Sequence, residues 1–317
     1  RCEAAVAELE DASDCIAFGS GMAAITASLL AASTNGRHVV AVRPCYGTTD
    51  HLLSSGLLGL DVTWAEPDGI AEAIQPETSL VLVETPANPT LTLVDLETVA
   101  DQAGSVPVLV DSTFAPPVLQ RPLAHGATLS LHSATKFLGG HGDVVAGVVS
   151  TRDADWAARL RHVRVATGAL LHPMAAYLMH RSLPTLPQRI ERAQASAHHL
   201  ADRLVIHPAV TRVHYPGLTD APLIGTQMRG PGTMVTFDVG AYEAARTVLQ
   251  NTALITPAVS LGSVDSLLQH PASLTHGVVD AAAKEHSGIT PGLLRLSVGL
   301  EDMDALWSDV RTALEAF

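Results

Sequence analysis

VPVLVDSTF, residues 106–114, decides how this chain folds. Val106, Val108, Leu109 and Val110 are apolar without alternation, and the run stops on Asp111. A strand with one wet face alternates polar and apolar residues; one that is apolar on every residue suits a strand covered on both sides, as in a parallel sheet. Similar runs recur at HVVAV (38–42), SLVLVE (79–84) and VVAGVVS (144–150). Between them lie helical patterns, among them GMAAITASLLAA (21–32) and LVDLETVADQAG (93–104), the second stopped by Gly104. Strand and helix in short-looped alternation predict an α/β fold with a largely parallel sheet.

Downstream, residues 153–203 turn helical and rich in arginine and histidine, and GPGTMVTFDVG, YEAARTVLQN, GLLRLSVGL and EDMDALWSDVRTALEAF then read as strand, helix, strand and amphipathic terminal helix. A chain of 317 residues exceeds what one core usually serves. The expected division is a larger, cofactor-binding unit over 1–185, including the long connecting helices, and a smaller C-terminal α/β unit over 186–317.

Composition narrows the function. Nineteen basic against 32 acidic side chains leave a net charge of −13, which argues against nucleic acid and anionic membranes as partners. No apolar run reaches the roughly 18 residues a spanning helix needs. Cys2, Cys15 and Cys45 are odd in number and lack C-x-x-C spacing, so neither a disulfide framework nor a zinc ribbon is suggested and a reducing cytoplasm is expected.

Ligands of such folds gather beyond the carboxyl ends of the strands. GSGM (19–22) precedes a helical pattern, where the N–H groups of Gly21 and Met22 suit an anion; a plain glycine turn is the alternative. Asp111 ends an apolar run, either as a partner for a buried cationic nitrogen or as a turn residue. ETPANP (84–89) sets Asn88 in a proline-stiffened loop.

LHSATKFLGGHG (131–142) carries one of only two lysines, Lys136, the other being Lys284; the remaining 17 cationic side chains are arginine. Where charge alone suffices this chain uses arginine, so a lysine here points to an amine that loses its proton and reacts. Three chemistries compete. Ser133-x-x-Lys136 is the nucleophile signature of penicillin-recognising enzymes, but their K-T-G partner is missing. His132 and His141 are possible metal ligands, without accompanying residues at a known spacing. The third is an aldehyde cofactor with a phosphate tail and a ring nitrogen, which calls for an amine, phosphate donors, a carboxylate and a stacking ring. Lys136, the group Ser133, Thr135, Gly21 and Met22, then Asp111 and Tyr46 provide these in turn.

GSGMAAI (19–25), Tyr46-Gly47, ETPANP (84–89), VDSTFAPP (110–117), HSATKFLGGHGDVVAG (132–147), AVSLG (258–262), HPASLTH (270–276) and LRLSVGLED (294–302) together resemble the pyridoxal-phosphate enzymes of cysteine and methionine metabolism: the methionine γ-lyases, cystathionine γ-lyases, cystathionine γ-synthases and homoserine sulfhydrylases. The resemblance runs from Arg1 to the terminal helix. It implies the type I fold of pyridoxal-phosphate transferases, with a seven-stranded, mainly parallel sheet, helices on both faces and a smaller C-terminal α/β domain.

It also implies roles. Lys136 would bind the cofactor aldehyde and then act as base, Asp111 would keep the ring nitrogen protonated, and Tyr46 would stack on the ring and serve as acid. Asn88 would lie near the ring oxygen, Ser260 near the imine or carboxylate, and Arg295 would clamp the substrate carboxylate. A cytoplasmic homotetramer acting on a small amino acid is expected, each site completed by a tyrosine and an arginine on a neighbour's N-terminal arm, whose counterpart would precede Arg1. A non-catalytic homologue would show changes at Lys136, Asp111 or Arg295, and none occurs.

Some positions depart from the family's usual pattern. Ser112 replaces the usual asparagine after the ring aspartate. Val259 stands where cystathionine γ-lyases often carry a glutamate; an apolar wall there suits a methylthio group better than a distal ammonium. Thr48, Thr49, Asp50 and His51 follow Tyr46 without the arginine of the synthase and cystathionine branches, and Thr48 takes the place where methionine γ-lyases often have cysteine. The expected reaction is γ-elimination from L-methionine to methanethiol, ammonia and 2-oxobutanoate, with cystathionine cleavage or γ-replacement as alternatives.

Overall fold

The computed structural model describes residues 1–218 and 221–317. Seven strands, β1 (Asp14–Phe18), β2 (His38–Val42), β3 (Asp61–Ala65), β4 (Thr78–Glu84), β5 (Val108–Asp111), β6 (Leu129–His132) and β7 (Gly147–Thr151), form one sheet in the order β1-β7-β6-β5-β4-β2-β3. β7 runs antiparallel to both its neighbours, and the other adjacent pairs are parallel. The α/β expectation therefore holds, with one reversed strand.

The unbroken apolar runs have the cause inferred from sequence. Val39, Ala41, Leu80, Leu82 and Leu109 pack with the helix Gly21–Ala32 on one face, while Val40, Val42, Val81, Val83, Val108 and Val110 pack with Leu96 and Val99 on the other. Local chemistry fixes the helix ends. Ser20 Oγ accepts from the Ala23 N–H, Asp95 caps the helix Leu96–Ala103, and Gly104 at φ 59° ends it. The apolar run at 144–150 starts earlier than its strand because Ala146 spends its N–H and C=O on the Thr135 side chain.

A second sheet contains β8 (Arg212–His214), β9 (Met234–Asp238), β10 (Thr256–Pro257), β11 (Leu267–Gln269) and β12 (Leu293–Ser297) in the order β10-β11-β12-β9-β8. The helices Tyr242–Asn251 and Met303–Leu314, and Ala197 to Leu204 of the long helix Leu186–Val205, cover one face through Val235, Phe237, Leu294 and Leu296. Side chains alternate along a strand, so Arg295 points the other way, paired in register with Gln269 and Thr236. Thr236 Oγ1 donates to the Pro89 carbonyl at 2.7 Å, tying that face to the loop after β4. No helix among the described residues is long and apolar enough to cross a membrane.

Candidate active site

β4, β5 and β6 end side by side, with Glu84 opposite Asp111 and Asp111 opposite Leu131. A cavity of about 370 Å³ opens at these ends. Its wall brings together Gly21, Met22, Tyr46, Asn88, Asp111, Ser133, Thr135, Lys136, Val259, Ser260 and Arg295, which are all the site residues expected from sequence, drawn from segments up to 274 positions apart.

Lys136 follows β6 in a turn closed by its own N–H on the Ser133 carbonyl. Its Nζ donates to Ser260 Oγ at 2.9 Å. Burial, assisted by the charge of Arg295, pulls its pKa from 10.5 down to about 8, so near neutral pH the amine exchanges its proton readily. Ser260 has φ 99°, a conformation that L-residues seldom adopt and that tends to be retained at functional sites. Its carbonyl accepts from Arg295 Nη2 at 3.1 Å, while Asn88 Oδ1 accepts from Nη1 at 2.7 Å. Desolvation draws Arg295 down to about 9, still charged at neutral pH.

Asp111 is buried, and desolvation raises its pKa. Two hydrogen bonds oppose that rise, from the Thr113 N–H and hydroxyl to Oδ1 at 3.0 and 2.6 Å. Thr113 Oγ1 also accepts from the Ser133 N–H, which couples the carboxylate to the start of the lysine turn.

Glu84 was not singled out in the sequence. It is buried, and desolvation with the adjacent Asp111 pushes its pKa well up. Its oxygens accept the backbone N–H groups of Tyr46 at 2.7 Å and Asn88 at 2.8 Å, so one carboxyl holds two residues of the wall. The available signal was its place: like Asp111, it closes an unbroken apolar run ahead of a stiff loop.

At the other end of the cavity, the first turn of the helix Gly21–Ala32 meets Ser133. A Cβ on Gly21 would lie 2.8 Å from Ser133 Cβ and 2.9 Å from its Oγ, so only glycine keeps this cradle open. The Ala23 and Ala24 N–H groups are taken by Ser20, which leaves those of Gly21 and Met22 for a ligand. Thr135 lines the cavity, but its hydroxyl both donates to and accepts from the Ala146 backbone. Val259 stands half exposed in the wall. His132 bonds Glu10, and His141 donates to the Gly139 carbonyl, so these two histidines serve separate partners.

The whole arrangement offers a reactive amine, a carboxylate, a fixed guanidinium and an anion cradle around one space. Residues 1–315 match the family model described as Cys/Met metabolism PLP-dependent enzyme. An L-methionine gamma-lyase of Brevibacterium sandarakinum is 57% identical, covering 100% of this chain and 80% of that protein. A cystathionine gamma-lyase of Bacillus subtilis (strain 168) is 42% identical over 99% of this chain and 85% of its own length. The crystal structure of cystathionine gamma synthase from Xanthomonas oryzae pv. oryzae in complex with cystathionine superposes with a TM-score of 0.95 at 37% identity, covering 99% of this chain and 84% of that one.

Proposed function

This chain belongs to the Cys/Met-metabolism PLP-dependent enzymes, and from that premise we propose that it cleaves the Cγ–S bond of L-methionine, with water giving methanethiol, ammonia and 2-oxobutanoate. The observation that carries the reading is the convergence of Lys136, Asp111 and Arg295 on one cavity.

The residues fit pyridoxal phosphate. The Gly21–Ser133 cradle, whose space a single methyl group would fill, sets a hydroxyl beside two N–H groups at the positive end of a helix, a donor set suited to a phosphate. Asp111 would hold the ring nitrogen, Tyr46 the ring face and Asn88 the ring oxygen. When bound, the cofactor supplies an aldehyde that takes up amines and a protonated ring that accepts electron density from the adjoining carbon.

This chain's own side chains do the rest. Lys136, its pKa lowered by burial to about 8, takes the proton from Cα and moves the one at Cβ. Arg295 holds the α-carboxylate and so sets the direction in which the side chain extends. Tyr46 protonates the departing sulfur. Val259 offers the methylthio end an apolar surface without a carboxylate for a distal ammonium, which favours methionine over cystathionine. On the same reading the protein works as a cytoplasmic homotetramer.

Purified protein supplied with pyridoxal phosphate should release methanethiol from L-methionine faster than cysteine from cystathionine, followed by thiol assay; the reverse order moves the protein to the cystathionine branch. Borohydride should fix the cofactor on Lys136, and label on Lys284 alone overturns the site.

A further inference from the structure

Gln269 lies on β11 directly across from Arg295 and is 1% exposed. One end of its amide sits 3.0 Å from Nη2 and 3.2 Å from Nη1 of Arg295. A guanidinium offers only donors, so that end has to be the oxygen. The Thr275 hydroxyl stands 3.1 Å from the same oxygen and the same distance from Nδ1 of His276, whose Nε2 bonds the Cys45 carbonyl. With Asn88 Oδ1 and the Ser260 carbonyl also accepting, the four Nη hydrogens of Arg295 are all engaged. The guanidinium is thus spread between three anchors on three segments, with Phe114 against it at 5.5 Å.

We propose that Gln269 is the positioning residue of Arg295, turning its fork so that the substrate α-carboxylate meets it in the productive orientation. This rests on the proposed role of Arg295 as the carboxylate clamp. Asn88 and Ser260 each touch one Nη, so by themselves they let the plane of the guanidinium rock; an oxygen shared by both nitrogens fixes the plane. The buried Nε–H of Arg295 has no partner among the described residues, so it is the donor left for an arriving carboxylate while the Nη hydrogens stay anchored.

The test compares holoenzyme variants Gln269→Leu, which removes the acceptor, and Gln269→Glu, which keeps an oxygen in place. The ligands are L-norleucine, which has no sulfur to eliminate, and pentylamine, the same molecule without its carboxylate. Gln269→Leu should raise KM for methionine and the inhibition constant of norleucine by about ten- to a hundredfold, the loss expected for a charge-assisted hydrogen bond, with kcat within about threefold. The inhibition constant of pentylamine and the cofactor's visible absorption should stay unchanged, and Gln269→Glu should restore norleucine binding. Equal losses for both ligands, or no rescue by glutamate, assign Gln269 to general packing and overturn the inference. If Arg295→Leu weakens norleucine and Gln269→Leu does not, this inference alone falls. If neither variant affects norleucine, the role of Arg295 as clamp falls as well.

Discussion

At the carboxyl end of the seven-stranded sheet, Glu84, Asp111, Lys136 and Arg295 share the wall of one cavity; on the helix-covered face of the five-stranded sheet, Val235, Phe237, Leu294 and Leu296 are each 0% exposed and apolar. In the first region burial drives each group toward its neutral form, the two carboxyls upward and the lysine and arginine downward. Burying each of them in its charged form costs stability. The second region has the opposite character: its core is apolar, and at its border Asp309 accepts the N–H groups of Ala253, Leu254 and Ile255. One region bears desolvated charge for chemistry, and the other supplies the burial that makes this tolerable.

The contrast breaks or sharpens on four substitutions. Lys136→Met should lower turnover by about a thousandfold or more, since amine and base are lost together. The same change should raise the melting temperature at neutral pH. The sign follows from linkage: the folded-state pKa of about 8 lies below the unperturbed 10.5, so between these values the unfolded chain holds more protons and wild-type stability rises with pH. The advantage of the variant should therefore shrink from pH 8 to 10.5 in calorimetry; a variant that melts lower than wild type at pH 7 contradicts the comparison.

Leu200→Ala, in the apolar core of the second region, should cost about 2–5 kcal/mol in denaturant unfolding and leave kcat per folded molecule as it was. Val259→Glu should shift the ratio of kcat/KM values toward cystathionine by about tenfold without moving the melting temperature. Asp309→Ala, smallest in effect, should cost about 1 kcal/mol, and a change in turnover would show that the two regions are not energetically separate.

The strands that sequence made legible are those buried on both faces, because burial itself writes the unbroken apolar run. β1, β3 and β6 were missed for physical reasons. β3 is an edge strand, half buried along most of its length; β1, the other edge strand, opens on a charged Asp14; in β6 the buried Ser130 and His132 interrupt the apolar pattern. The site was legible wherever a residue stood in a recognisable motif. Glu84 and Gln269 were not, since what they do is defined by partners far along the chain: the backbone of Tyr46 for one, the guanidinium of Arg295 for the other. Thr135 shows the converse, a hydroxyl expected at a phosphate that is committed to the Ala146 backbone.

Gly47 follows Tyr46 at the start of the helix Gly47–Ser54, and a Cβ there would collide with the Thr275 carbonyl oxygen. The two backbones are in direct contact, so the panel that carries the aromatic ring is latched to the panel that carries the 270–276 loop. Neither swings outward without the other. Across the cavity Val259 meets solvent beside Ser260, whose φ of 99° puts a rarely adopted backbone conformation in that wall.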